Sequence, residues 1–217
     1  MEKKTLILVG AGKGLGNAVA REFASHDFKV VLIARNTERL KQYEDEFKGL
    51  GYEVYTKVAD AAKLETLTKA IREVQGELGT PDTLVYNVGI TEPDGDREIT
   101  SELLMERYQI DAASAYHCAT LVATEEFASK KGAIIFTGGG FAKTFQPILF
   151  LKPLSIDKAA LNAMNIILHY ELEPKGIFVG SIIVSGVIDP ATDHSPENIA
   201  KEYWKMYEER GDFEVVV

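Results

Sequence analysis

The apolar positions of this chain fall into short runs that alternate with stretches of helical spacing. Leu6-Ile7-Leu8-Val9 is uncharged and partly β-branched, the pattern of a strand buried on both faces of a parallel sheet. Asn17–Ser25 then places Val19, Ala20, Phe23 and Ala24 on one helix face. Lys29–Ala34 reads as a second strand, so Leu6 to Ala34 has the length of a compact strand–helix–strand crossover, about thirty residues. Asn36 predicts the N-cap of a helix carrying Leu40, Tyr43, Glu44 and Phe47 and ending near Gly49. Tyr52–Val58 follows as a strand, and Leu64–Leu78 as a helix closed by Gly79-Thr80-Pro81. Thr83–Asn87 is a fourth strand, Ile90–Arg97 a polar loop, and about Ser101 to Ser129 one long helix. Ala133–Thr137 is a fifth strand ending in Gly138-Gly139-Gly140, after which a loop reaches Pro153 and a helix runs to about Glu173. Ile177–Val184 is a sixth strand. Ser195-Pro196-Glu197 supplies cap, N1 proline and first-turn acid for a helix to about Glu209, and Phe213–Val217 is a last short strand. No repeat, low-complexity tract or linker interrupts the alternation. It predicts an α/β fold over residues 1–217, a single domain built on a doubly wound parallel sheet of about seven strands with helices on both faces.

Composition narrows the partners. A net charge of −9 argues against nucleic acid or an anionic membrane surface as the main partner. The single cysteine, Cys118, cannot form an intrachain disulfide, which points to a reducing compartment; its expected role is a small buried core residue. Lys3-Lys4 precedes an apolar run too short for a signal peptide, and no segment approaches the ~20 apolar residues of a membrane span, so a cytoplasmic protein is expected. Ala112–Thr124 and Ala159–Tyr170 contain no Asp, Glu, Lys or Arg. A surface helix needs a polar face, so these two are expected to be covered on a second side, by a partner subunit or by the chain's own loops. The first option gives a homodimer or homotetramer through residues 112–124 and 159–170. His117, His169, Tyr108 and Tyr116 read as packing or interface residues.

The first strand ends in the glycine-rich turn of Thr5–Gly16, TLILVGAGKGLG. Glycines where a strand becomes a helix let the backbone approach a bound group closely, and the free N–H groups of the helix's first turn attract an anion. This stretch reads as a phosphate cradle or, more plainly, as a strand–turn–helix with glycines for the bend. The spacing is G-x-x-x-G-x-G, through Gly10, Gly14 and Gly16. Together with the order of elements, it resembles the short-chain dehydrogenase/reductase family over nearly the whole chain. Asn87-Val88-Gly89 lies where that family carries Asn-Ala-Gly, Asp60 matches the acid that contacts adenine, and Ser185-Gly186 stands at a Pro-Gly turn without the proline. The resemblance implies a Rossmann-type sheet of order 3-2-1-4-5-6-7. It also implies a nucleotide held by Gly10, Lys13, Gly14, Leu15, Gly16, Arg35, Asp60, Asn87, Gly89 and Lys158.

The end of the second strand selects the nucleotide. Readers of NAD place an acid there for the ribose 2′-hydroxyl, whereas this chain has Ala34-Arg35-Asn36. A guanidinium can hold a 2′-phosphate through paired charge-assisted bonds, and Lys13 adds a second cation. NADP(H) is therefore expected, unless both cations are simply solvated.

Catalysis departs from the family pattern. Reduction of a carbonyl needs a proton donor and a polarising group, which the family supplies as Ser, Tyr and Lys with a helical Asn. Lys158 matches the lysine; Leu154 stands in the tyrosine's place, by alignment Gly139 in the serine's, and Asp111 in the asparagine's. No serine occurs between Ser129 and Ser155. Substitutes available in the sequence are Lys158 itself if its pKa is depressed, Ser155 acting through water or merely as a cap, and Gly138–Gly140 as an anion nest or a flexible loop entry. Lys158 and Asp111 are the candidate catalytic residues, and no metal site is expected. The reading is an NADP(H)-dependent oxidoreductase of a small carbonyl or alcohol with a degenerate catalytic site; its alternative is an NADP(H)-binding regulator without turnover.

Overall fold

The computed structural model describes residues 3–143 and 148–217. Seven parallel strands form one sheet in the order β3-β2-β1-β4-β5-β6-β7, with β1 Thr5–Val9, β2 Lys29–Ala34, β3 Val54–Val58, β4 Thr83–Tyr86, β5 Ala133–Gly139, β6 Phe178–Val184 and β7 Glu214–Val216. The helices are α1 Leu15–Ser25, α2 Thr37–Gly49, α3 Leu64–Leu78, α4 Ser101–Tyr108, α5 Ser114–Val122, α6 Glu125–Ser129, α7 Lys152–Leu172 and α8 Pro196–Glu209. The expected strand order and two-faced wrapping are both present.

The period-2 geometry of the strands explains the layers. Ile7, Val9, Val31, Ile33, Leu84 and Tyr86 face α3, α5 and α7, while Leu6, Leu8, Val30, Leu32 and Val85 face α1, α2 and α8. Every residue of β1 is buried, as its uncharged run requires. Each such Leu, Ile or Val contributes roughly 1.5–3 kcal/mol through burial. Helix starts follow their caps: Asn36 accepts from the Arg39 amide at 2.8 Å, and Ser195 from the Asn198 amide at 3.3 Å. Among the described residues no helix is long and apolar enough to cross a membrane.

Two expectations fail locally. The single long helix over Ser101–Ser129 is instead α4, a π turn at Gln109–Ala113, α5 and α6. The break before α6 lies at Ala123 and Thr124, where the Thr124 hydroxyl takes the Phe127 amide and so offers the backbone a fresh N-cap. At the π turn the phenol of Tyr86 donates to the Ile110 carbonyl at 2.5 Å, satisfying a carbonyl that a regular helix would have used. Secondly, β5 does not stop at Thr137 but pairs with β6 down to Gly139↔Val184. Gly138 and Gly139 are thus extended strand rather than an anion nest, and Gly140 opens a short 3-10 turn, Gly140–Ala142. Crowding accounts for the three glycines: a Cβ would lie 2.9 Å from the Ser181 Oγ at Gly138, 2.7 Å from the Phe141 ring at Gly139 and 2.7 Å from Ser185 at Gly140. Part of the loop expected before Pro153, residues 144–147, lies outside the described residues.

Candidate active site

The order of strands reverses between β1 and β4, the point at which doubly wound sheets hold ligands beyond the strand ends. A cleft of about 230 Å³ opens there, and Gly10, Arg35, Asp60, Asn87 and Gly89 are among its lining residues. Five of the residues expected to touch nucleotide are therefore gathered around one space.

The glycine turn beside it depends on close backbone packing. Gly10 has φ +95°, and a Cβ on it would lie 2.8 Å from the Asn87 carbonyl carbon. A Cβ on Gly16 would lie 2.5 Å from the Gly10 carbonyl oxygen. Nothing within 4 Å would meet a Cβ on Gly12 or Gly14, so the outer side of the turn is open. Helix α1 begins at Leu15 without a side-chain cap, and Asn17 and Ala18 turn their amides back to the Gly12 and Gly14 carbonyls. The amides ahead of them lack a side-chain partner, which fits a phosphate at the positive end of the helix. Lys13 is exposed on this turn and does not line the cleft; Leu15 is buried against the core. Arg35 is exposed at the cleft, and neither cation has an ion-pair partner among the described residues. Asp60 holds its loop through the Ala62 amide, 3.0 Å from Oδ1. The open turn, uncapped α1 and free Arg35 together fit a phosphorylated dinucleotide.

Asn87 anchors a chain of hydrogen bonds that sequence reading missed. Its Nδ2 donates to the Gly10 carbonyl at 3.2 Å, its Oδ1 accepts from the Thr137 hydroxyl at 2.9 Å, and Thr137 shares a 2.6 Å hydrogen bond with the Tyr203 phenol. Burial pushes the Tyr203 phenol up, so it stays protonated. The only sequence signal for Tyr203 was its place on the apolar face of α8, which does not distinguish a polar anchor from core packing.

Beyond the cleft's Val88 and Gly89, α7 brings in Lys158, which is buried and does not itself line the cleft. Its Nζ donates to the Val88 and Thr137 carbonyls, both at 2.9 Å. Nζ lies 3.4 Å from where a Cβ on Gly89 would stand, and Leu154 Cδ1 lies 3.7 Å from that point. Burial pulls the Lys158 ammonium down to about 8, opposed by Asp111 and Asp157. Asp111 is fully buried on the π turn, where its carboxylate accepts from the Ile90 amide at 3.2 Å. Burial raises its pKa, and Lys158, the Ile90 amide and Arg107 pull it back. The structure therefore places both candidate catalytic residues at one buried centre.

The other groups singled out in the sequence are engaged away from the cleft. The Ser155 hydroxyl donates to the Leu151 carbonyl at 2.9 Å, one turn back, so it is neither the helix cap nor directed to the cleft. The Phe141 ring fills the side-chain space above Gly139. His117 bonds Thr68 at 2.7 Å, and His169 bonds the Val179 carbonyl at 2.9 Å while stacking on Phe213, which are packing roles. Cys118 is buried, and its thiol is pushed up to about 12, far from a nucleophilic thiolate.

Comparison with known proteins agrees with this architecture. A model described as short chain dehydrogenase matches residues 4–202. Inactive hydroxysteroid dehydrogenase-like protein 1 of Homo sapiens is 31% identical over 181 residues, which are 82% of this chain but only 54% of that protein. Among solved structures, an actinorhodin polyketide ketoreductase with NADPH superposes with a TM-score of 0.88 at 17% identity, covering 99% of this chain and 95% of that one. An NADPH-bound short chain oxidoreductase of Pseudomonas aeruginosa PAO1, described as containing an atypical catalytic center, gives 0.87 at 18% identity with the same coverage. At such identities the superpositions speak for the fold, whereas the match over residues 4–202 speaks for descent: the chain belongs to the short-chain dehydrogenase family.

Proposed function

We propose that this protein is an NADP(H)-dependent oxidoreductase that interconverts a small carbonyl and its alcohol through a degenerate catalytic site. The observation that carries the reading is the pairing, beyond the carboxyl ends of the central strands, of an open glycine turn with unpaired Arg35 and a buried Lys158 beside Gly89. Bound NADPH supplies the hydride. Arg35, with Lys13 nearby on the turn, holds the 2′-phosphate that distinguishes NADP from NAD. Leu154 and Gly139 leave the site without the usual phenol and hydroxyl, so the proton comes from the ammonium of Lys158, whose depressed pKa suits donation near neutral pH. Asp111 holds that end of the site by fixing the Ile90 amide.

Titration with both cofactors, followed by a carbonyl panel with NADPH, tests the reading. NADPH is expected to bind more tightly than NADH, and Arg35→Ala to weaken NADPH binding roughly 10- to 100-fold while leaving NADH unchanged. Equal affinity of the wild type for the two cofactors overturns the NADP assignment. Tight NADPH binding without oxidation by any substrate moves the protein to the regulatory alternative.

The exposed face of α7 supports a second proposal. Ile156, Ile167 and Tyr170 are 53%, 60% and 64% exposed on a helix with no charge between Ala159 and Tyr170, and Tyr116 is exposed on charge-free α5. Such apolar surface suits a subunit contact between copies of this chain. Sedimentation at micromolar concentration is expected to give a dimer or tetramer, and Ile167→Glu to shift it toward monomer. A wild-type monomer at that concentration defeats the proposal.

A further inference from the structure

We propose that Asp157 is a positioning residue that sets the proton affinity of Lys158 from a buried place on α7 outside the cofactor cleft. Asp157 is 1% exposed, yet neither carboxyl oxygen has a hydrogen-bond partner among the described residues. An aspartate kept for local structure normally accepts from a backbone amide or sits in a close ion pair, because a bare buried carboxylate is costly. This one does neither. It stands immediately before Lys158 on α7, on the stretch that packs against α4 and the π turn.

The charged groups around it are few. Arg107 comes from α4, Asp111 from the π turn and Lys158 from α7 itself, and all three are buried. Strands β5 and β6, which also pack on α7, carry no titratable side chain, and the 3-10 turn Gly140–Ala142 carries none, while Glu173 and Lys175 of the 3-10 turn that follows α7 are exposed at the helix's far, C-terminal end. Two cations and two carboxyls thus share one enclosed region. Consecutive residues on a helix do not face each other, so Asp157 and Lys158 act on one another through the field rather than by direct contact. In that field an ionised Asp157 stabilises the ammonium, and a protonated Asp157 releases it. The carboxyl itself is raised to about 7 by burial and by Asp111, against Lys158 and Arg107, so it changes charge in the range where Lys158 must hold and give up its proton. The buried Arg107 is explained by the same arrangement, since it balances the second carboxyl.

The inference deepens the assignment of Lys158 as proton donor and rests on it for its functional meaning, but its test does not need turnover. The ¹³Cε resonance of Lys158, assigned by its loss in Lys158→Met, is titrated by NMR in the intact protein. The alkaline limb of kcat/KM, where a substrate is in hand, reports the same group. Asp157→Asn is expected to move both midpoints down by roughly one pH unit, since an opposite charge a few ångströms away shifts a pKa by about 1–3. Asp157→Glu keeps the charge and is expected to keep the midpoint near the wild-type value. Asp157→Ser gives a second neutral variant should the amide fail to fold. A folded neutral variant whose Lys158 midpoint is unchanged overturns the proposal. A shifted midpoint in a protein that reduces no carbonyl upholds the coupling and counts against the oxidoreductase reading instead.

Discussion

Gly16→Ala is expected to abolish NADPH binding and to lower the stability of the fold at the same time. The new Cβ would stand 2.5 Å from the Gly10 carbonyl oxygen, 3.0 Å from Asn87 Nδ2 and 3.3 Å from the Ala11 Cα. Two of these three neighbours are backbone, so no side-chain rotation relieves the clash. The N-terminus of α1 must retreat from the end of β1, which breaks the 3.2 Å bond from Asn87 to Gly10 and opens the cradle. Forced overpacking of this kind typically costs ~1–3 kcal/mol or more, and the phosphate loses the amides that would hold it. Gly14→Ala is the control. Nothing lies within 4 Å of its Cβ, so it leaves stability within about 1 kcal/mol of wild type and affects binding only through the bound ligand. Thermal melts with and without NADPH check both variants. Wild-type melting and an undiminished NADPH shift in Gly16→Ala would show that the turn does not hold the phosphate.

That pair of glycines also marks what could be read from the chain. The alternation of strands and helices and the two-sided wrapping follow from local signals, because the strands are short, mainly apolar runs and most helices carry an apolar face, whereas the strand order and the cofactor site came with the family resemblance. Asn36 and Ser195 capped their helices as their positions suggested. The legible part ended where a long-range partner overrides local preference. Residues 101–129 have helical character throughout, yet the Tyr86 phenol, distant in sequence, meets the Ile110 carbonyl at a π turn that buries Asp111. Gly138–Gly140 looked free because glycine is permissive; their real reason is the crowding from Ser181, Phe141 and Ser185, none of which is visible from spacing. Tyr203 and Asp157 were hidden for another reason. A tyrosine on an apolar helix face and an acid beside a lysine look ordinary until burial removes the water that would otherwise serve them.

Lys158→Met is expected to lower turnover by about 10²–10⁴-fold, the range of a lost general acid, while NADPH binding falls much less. The substitution keeps the length and apolar stem of the side chain, so packing against Gly89 and Leu154 changes little. It removes the donor to the Val88 and Thr137 carbonyls and the buried cation whose field acts on Asp111 and Asp157. The pH dependence of stability separates this effect from misfolding. The folded-state pKa of Lys158 lies near 8, below its ordinary 10.5. Between these values the unfolded chain binds the proton and the folded chain does not, so stability rises with pH in that window. From pH 8 to 10 the contribution is roughly 2 kcal/mol, before the buried phenols begin to oppose it. Asp157 acts in the other direction at lower pH. Its folded pKa near 7 lies above the ordinary 3.8, so the folded chain retains a proton the unfolded chain has lost, and stability falls as pH rises from about 4 to 7. Denaturant unfolding across pH 4–10 is therefore expected to trace a minimum between 7 and 8 in the wild type, superimposed on the remaining titrations. In Lys158→Met the alkaline rise disappears. With the compensating cation gone, the acid-side fall persists and extends to higher pH, because the Asp157 carboxyl loses the charge that favoured its ionisation. A variant that keeps the alkaline rise would show that Lys158 is ordinarily solvated, and the proton donor would then have to be sought elsewhere in the site.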